Sequence, residues 1–145
     1  MSDTMPEPAL TVVDAADPAD VNAVSGGLRA YNVQFAAEDW RRLYVFLRDE
    51  AGAIVGGLLG DTGWGWLSVH ILWIDERYRG RGLGDRVLRA AEDEARARGC
   101  RHAQLDTLTF QARPFYEARG YRVYGTLDDF PTGSGHQRFY LVKDL

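Results

Sequence analysis

Arg77, Arg79 and Arg81 interleave with Gly80, Gly82 and Gly84 over residues 77–84, so that charge and bare backbone are concentrated in one short segment. Glycine has no Cβ, and backbone N–H groups around it can approach a phosphate closely. The apolar run at 67–74 leads into the segment, and a helical pattern at 83–98 leads out of it. A strand that turns through glycines into a helix N-terminus adds unpaired donors and the positive end of the helix dipole. The chemistry this arrangement offers is anion binding. The plain alternative is a strand-to-helix turn with solvated arginines.

Two familiar phosphate loops do not fit. A dinucleotide fingerprint counted from Gly80 puts Asp85 where its last glycine belongs, and a P-loop needs Gly-Lys-Ser/Thr, whereas the only lysine is Lys143. The stretch Arg77-x-x-Gly80-x-Gly82 instead resembles the Arg/Gln-x-x-Gly-x-Gly/Ala signature of the GNAT family of N-acetyltransferases, which bind the pyrophosphate of acetyl-CoA. A second segment is similar to that family's Asn-x-x-Ala-x-x-Phe/Leu-Tyr-x-x-x-Gly-Phe pattern: Ala112, Phe115, Tyr116, Gly120 and the aromatic Tyr121 match. The asparagine position is Thr109, so a usual CoA contact is expected to be kept only in part, by its hydroxyl. Ile54-Val55-Gly56-Gly57 also looks like a family strand. The specific resemblance covers residues 66–125; the first 60 fit in pattern only.

The resemblance implies acyl transfer from acetyl-CoA, as cosubstrate, to a primary amine by direct attack in a ternary complex. Two parallel strands, here 64–74 and 102–110, are expected to splay and admit the pantetheine. Backbone groups of Leu72, Trp73 and Ile74 would bond it, one N–H polarising the thioester oxygen. The cofactor-binding set is completed by Arg77, Arg79, Gly80, Arg81, Gly82, Leu83 and Gly84 for the pyrophosphate, with Thr109. Tyr116 stands where the family's general acid stands, its phenol serving the leaving thiolate; the alternative is an aromatic packed under the sheet. His70 is the candidate general base, since an imidazole titrates near neutrality and the residue falls on the mixed face of its strand. A buried, hydrogen-bonded histidine accounts for it equally well. Asp106 either orients the substrate ammonium or caps a turn.

These groups need elements to hold them. A strand is expected at 9–13, and a helix after Asp17 as N-cap and Pro18 at its first position, with Val21, Val24, Leu28 and Tyr31 on one face. Strands follow at 42–49, 53–60 and 64–74, with turns at Ala51-Gly52 and Asp61-Thr62-Gly63. In the third, Leu67, Val69, Ile71 and Trp73 are expected on one face; Trp66, Ser68, His70 and Leu72 on the other. The helix at 83–98 carries a stripe of Leu83, Val87, Ala90, Ala91, Glu94 and Ala95, with Arg98 on a solvated face, and ends at Gly99. A parallel strand at 102–110, a short helix at 111–119 and an antiparallel pair at 121–127 and 137–142 complete the chain. An extra short helix near 36–40 is expected from the family pattern. The fold class is α/β (α+β): a mixed sheet of about seven strands with splayed central parallel strands and helices on both faces.

The 145 residues suit one domain, 9–145, behind a loose polar tail at 1–8. With 46% hydrophobic and 26% charged residues a packed core is expected, and a net charge of −4 argues against a general nucleic-acid binder. Cys100 stands alone, which leaves no internal disulfide and no multi-cysteine metal site. No apolar stretch reaches membrane length and no secretion signal opens the chain, so a cytoplasmic place with no membrane partner is expected. Trp64, Trp66, Tyr31 and Trp40 could wall an acceptor pocket, although aromatics at such positions are more often core. A Gly- and Pro-rich loop at 128–136 resembles one that rims the family's acceptor site. The acceptor, a small-molecule or peptide amine, is named by no residue, and no patch decides for or against a homodimer. A non-catalytic acyl-CoA-binding or interaction module on the same fold is the competing reading.

Overall fold

The computed structural model describes residues 4–145. The chain divides into two units between Ala37 and Glu38. In the first, α1 (Pro18–Asn32) starts as its residues dictate: the Asp17 carboxylate accepts the Ala19 N–H at 2.9 Å and Pro18 occupies the first helical position. Val21, Val24, Leu28 and Tyr31 along it are exposed. Residues 9–13 form no strand and are exposed. A short apolar run becomes a strand only where a neighbouring edge takes its N–H and C=O groups. No helix forms at 36–40 either.

The second unit holds β1 (Arg41–Arg48), β2 (Ile54–Gly63), β3 (Trp66–Ile74), α2 (Leu83–Ala97), β4 (His102–Leu108), α3 (Arg113–Glu117), β5 (Arg122–Leu127) and β6 (Arg138–Asp144). The strands form one mixed sheet in the order β1-β2-β3-β4-β6-β5, with six members where about seven were expected. Only β3 and β4 run parallel, joined by the crossover through α2. Leu58, Leu67, Leu88 and Leu141 are sealed in the core, and α2 packs on β1, β2 and β3.

Two details of the β2–β3 hairpin depart from the expected pattern, and both shape the site. The turn lies at Trp64–Gly65, not at 61–63, with φ of 52° and 81°. Two successive positive φ values match the right-handed twist of the flanking strands. Trp64 bears the strain of a non-glycine there because Asp39 accepts its N–H at 2.9 Å and Trp40 packs edge-on against its ring. The second departure is a bulge. Gly60 pairs with Val69 and Leu59 with Ile71, so His70 is the extra residue of β3. The alternation flips at that point: Leu67, Val69 and then Ile74 are buried, whereas Ile71 and Trp73 are exposed. A period-2 count cannot foresee an inserted residue, and this one re-aims everything from His70 onward.

On α2 the buried stripe is Val87, Leu88, Ala91, Glu92 and Ala95, about one residue round from the expected one. Glu92 is therefore inside. It accepts from the Tyr121 hydroxyl at 2.9 Å and pairs with Lys143 Nζ at 2.9 Å. Arg98 is also drawn in, donating to the Arg42 carbonyl and the Thr62 hydroxyl, which ties the end of α2 to β1 and β2. Glu92→Ala leaves a half-buried ammonium and a buried phenol without this partner, and is expected to cost about 1–3 kcal/mol of unfolding free energy in urea denaturation. Gly99 (φ 87°) closes α2, and the Cys100 N–H reaches back to the Ala95 carbonyl at 2.9 Å. Cys100 is packed in the core, and burial pushes its thiol pKa up. Among the described residues no helix is long and apolar enough to cross a membrane.

Candidate functional site

The parallel pairing of β3 with β4 stops early. Trp66 through Val69 pair with His102 through Leu105, and no pairs follow. Beyond the bulge at His70 the strands part, and a cleft of about 770 Å³ opens between them. The splay places β3 from His70 to Ile74 on one wall, β4 and α3 on the other, and the start of α2 at one end. The Asp75 N–H donates to Val55 on β2, so strand alternation turns the N–H and C=O of Leu72 and Ile74 away from β2, toward the parted side. The Ile74 carbonyl is taken by Arg79 Nε at 2.9 Å. The Leu72 N–H and C=O and the Ile74 N–H are left facing the opening.

The turn at the end of β3 is built locally. Asp75 caps a 3-10 turn (Glu76–Tyr78), accepting the Arg77 N–H, and its carboxylate also grips the Arg77 guanidinium at 3.0 and 3.1 Å. Those hydrogen bonds hold the Asp75 carboxyl below its ordinary pKa and raise that of Arg77. Gly80 and Gly82 both adopt left-handed φ, 75° and 74°, and a Cβ on either would meet nothing within 4 Å. Gly82 is the N-cap of α2, and no side chain caps the helix. The helix thus presents backbone donors into an open cradle, which fits a pyrophosphate. Gly84 is different: a Cβ there would stand 3.3 Å from the Phe115 ring, so this glycine admits α3 rather than a ligand.

Of the expected cofactor residues, Leu72, Trp73, Ile74, Arg79, Gly80, Gly82, Leu83 and Gly84 line the cleft. Arg77, Arg81 and Thr109 do not. Arg77 is held by Asp75, and Arg81 lies over the Tyr78 ring at 5.5 Å. The Thr109 hydroxyl is spent on Gln137, donating to its carbonyl and accepting its N–H. The structure adds Gln111, whose side-chain oxygen accepts the Leu108 N–H at 2.9 Å where β4 ends. Its place in the otherwise conforming segment before Ala112 was the only signal for it.

Tyr116 and His70 both line the cleft. Tyr116 is 6% exposed and packs edge-on against Phe115 and Tyr121. Gly120, in the left-handed region, ends α3, and the Tyr121 N–H returns to the Tyr116 carbonyl at 3.1 Å, which fixes both aromatic residues. Burial, and then the nearby Asp106 charge, push the Tyr116 pKa up to about 12. Burial and Glu92 raise that of Tyr121 as well. Both phenols ionise later in the folded chain than in the unfolded one, whose ordinary value is 10.0. Their contribution is complete below pH 10 and is lost as pH rises from there through the folded value. Melting temperature should therefore fall steadily between pH 10 and 12, and phenol ionisation followed by ultraviolet absorbance should lag for two tyrosines.

His70 is on the rim, its side chain 59% exposed, with Nε2 2.8 Å from Asp61 Oδ2. Asp106 caps no turn: Arg138 grips its Oδ2 through two nitrogens, at 3.0 and 2.9 Å, and stacks over Phe130. His136 meets Phe110 edge-on. Through these contacts the loop after β5 is tied to the cleft, although none of its residues lines it. The loop is also pinned internally, by Asp129 accepting the Gly133 N–H and by the Phe130 N–H donating to His136. Trp40, Trp64 and Trp66 do not line the cleft: Trp40 and Trp64 pack on each other, Trp40 covers Gly63, and Trp66 lies on His102.

Residues 14–121 match the model of the Acetyltransferase (GNAT) family. The chain belongs to that family. Acetyltransferase Atu2258 of Agrobacterium fabrum is 38% identical over 131 residues, 90% of this chain and 94% of its own length. Blasticidin-S acetyltransferase of Streptomyces morookaense is 44% identical over 98 residues, 66% of this chain and 70% of that one. The crystal structure of an acetyltransferase from Bacillus cereus superposes with a TM-score of 0.81 at 29% identity, covering 93% of this chain and 98% of that one. A Bacillus anthracis protein solved in complex with acetyl coenzyme A shares the fold, with a TM-score of 0.62 at 20% identity over 72% of this chain and 62% of that one. The protein is an acetyl-CoA-dependent N-acetyltransferase with acetyl-CoA as cosubstrate, which sets aside the reading as a non-catalytic module. In this GNAT acetyltransferase the open cradle at Gly80 and Gly82 and the parted strands are the features that suit the nucleotide end and the pantetheine arm of such a molecule.

Proposed function

We propose that the chain moves an acetyl group from acetyl-CoA to a primary amine of a small molecule by direct attack in a ternary complex. The observation that carries this reading is the parting of β3 from β4 beyond Val69, which brings His70 and Tyr116 to one cleft that ends at the Gly80–Gly82 cradle. The pyrophosphate would lie on the backbone donors from Gly80 to Gly84, with Arg79 beside it. The pantetheine would run along β3, bonded by the backbone around Leu72, whose N–H suits the thioester oxygen. His70 would take the ammonium proton. The C–N bond then forms, the C–S bond breaks, the nitrogen sheds its second proton to solvent as the amide forms, and CoA leaves as a thiolate facing Tyr116.

The Tyr116 pKa of about 12 decides what that phenol does. It is protonated at neutral pH, as a donor must be. Full transfer of its proton to a thiolate with an ordinary pKa near 8.5 is uphill by about 5 kcal/mol. Tyr116 therefore stabilises the leaving sulfur as a hydrogen-bond donor, and the thiolate takes its final proton from solvent.

One relative carries blasticidin S in its name, which supports a small-molecule acceptor and makes that compound the first to try. The test is isothermal titration with acetyl-CoA, followed by thiol release with a panel of amines that includes blasticidin S. Binding and release with a small amine is the expected result. Binding with release only on peptide amines would overturn the acceptor class, and no binding would overturn the site.

A further inference from the structure

The bulge in β3 does more than flip the strand. It lifts His70 out of register with β2, and the imidazole reaches diagonally across to Asp61, Nε2 to Oδ2 at 2.8 Å. Asp61 lies on β2 opposite Ser68 and lines no part of the cleft, whereas His70 does. An ionised carboxylate only accepts hydrogen bonds, so the ring nitrogen facing it must carry the proton. In the neutral imidazole that leaves Nδ1 as the lone-pair nitrogen, and Nδ1 has no hydrogen-bond partner among the described residues.

We propose that Asp61 is the positioning residue for His70: it fixes the Nε2–H tautomer and the ring orientation, so that Nδ1 is the atom that accepts the acceptor's proton. The inference rests on the reading of His70 as the general base. Its balance is simple. The ammonium N–H bond breaks, the proton passes to Nδ1, and the amine nitrogen keeps the electron pair with which it forms the C–N bond. Asp61 touches no reacting atom and acts through the ring alone. A rim histidine without such a partner would rotate freely about its side-chain bonds and populate both tautomers. The bulge supplies what a regular strand would not, since a residue in register would send its side chain straight out from the sheet.

The test has an arm that needs no acceptor. Long-range ¹⁵N–¹H correlation spectra at pH 8, assigned by the loss of signals in His70→Ala, should show His70 as the Nε2–H tautomer in the parent chain and as a mixture in Asp61→Ala. A parent ring that carries Nδ1–H, or one unchanged in Asp61→Ala, overturns the proposal by itself. In turnover on the amine found above, Asp61→Ala should lower kcat about tenfold with KM nearly unchanged, within the 10–100-fold that an orienting partner of a ligand histidine contributes. His70→Ala should cost about 100-fold, and adding Asp61→Ala to it should cost nothing further. A slow His70→Ala beside an Asp61→Ala of full rate overturns Asp61 alone. A His70→Ala of full rate overturns the base assignment and takes Asp61 with it. Losses that simply add mean that Asp61 acts elsewhere.

Discussion

Gly82→Trp is expected to weaken acetyl-CoA binding by at least about 100-fold while the chain still folds. The cradle is held by backbone donors at the start of α2, and no side chain occupies it. An indole at Gly82 would fill that space and displace several charge-assisted hydrogen bonds, each worth about 1.5–3 kcal/mol. The substitution also forces a side chain into the left-handed region at φ 74°, at a cost of roughly 1–2 kcal/mol. Gly82→Ala separates the two effects. It carries the same backbone strain, but its methyl group meets nothing within 4 Å. Alanine should therefore lower the melting temperature about as much as tryptophan does, yet retain most of the affinity. Titration calorimetry with acetyl-CoA reads the difference. Equal affinity in the tryptophan variant and the parent would place the phosphates elsewhere.

Tyr116→Phe is expected to lower kcat about 100-fold, the lower part of the range for removing one hydrogen-bond donor from a developing anion, with the dissociation constant for acetyl-CoA within about twofold. Phenylalanine keeps the edge-on packing with Phe115 and Tyr121 and the backbone bonds of α3. In the proposed reaction, what it removes is the donor opposite the leaving sulfur. Because the parent phenol stays protonated up to about pH 12, the deficit should be constant from pH 6 to pH 9. Comparable losses in turnover and in acetyl-CoA affinity would mean that the ring is structural. A deficit that widens as pH rises toward 9 would mean that the phenol acts in its ionised form.

Much of the frame was legible because local chemistry dictated it. Asp17-Pro18 starts a helix wherever it stands, Gly99 and Gly120 end helices by taking the left-handed region, and the crossover through α2 makes β3 and β4 parallel neighbours. The glycine turn and the Tyr116 segment were readable as residues at fixed spacings. What misled was long-range. Residues 9–13 have the composition of a strand but no edge to pair with. The aromatic residues near 64 have the size to wall a pocket, but the turn at Trp64–Gly65 packs Trp40, Trp64 and Gly63 together. Thr109 sits at the motif's asparagine position, yet Gln137, 28 residues away, claims its hydroxyl.

The family was legible because its two motifs are residues close together in the chain, and the glycine turn formed where its residues stand because their backbone preferences act locally. How the cleft is lined followed from contacts between distant elements. The bulge at His70 arises from a mismatch in pairing with β2, so neither the flipped alternation of β3 nor the approach of Asp61 to His70 is written in either strand alone. The burial of Glu92 with Lys143 and Tyr121 likewise depends on a rotation of α2 set by what packs beneath it. Register and helix rotation are settled by the fit of one surface on another, and a periodic pattern fixes them only to within a residue.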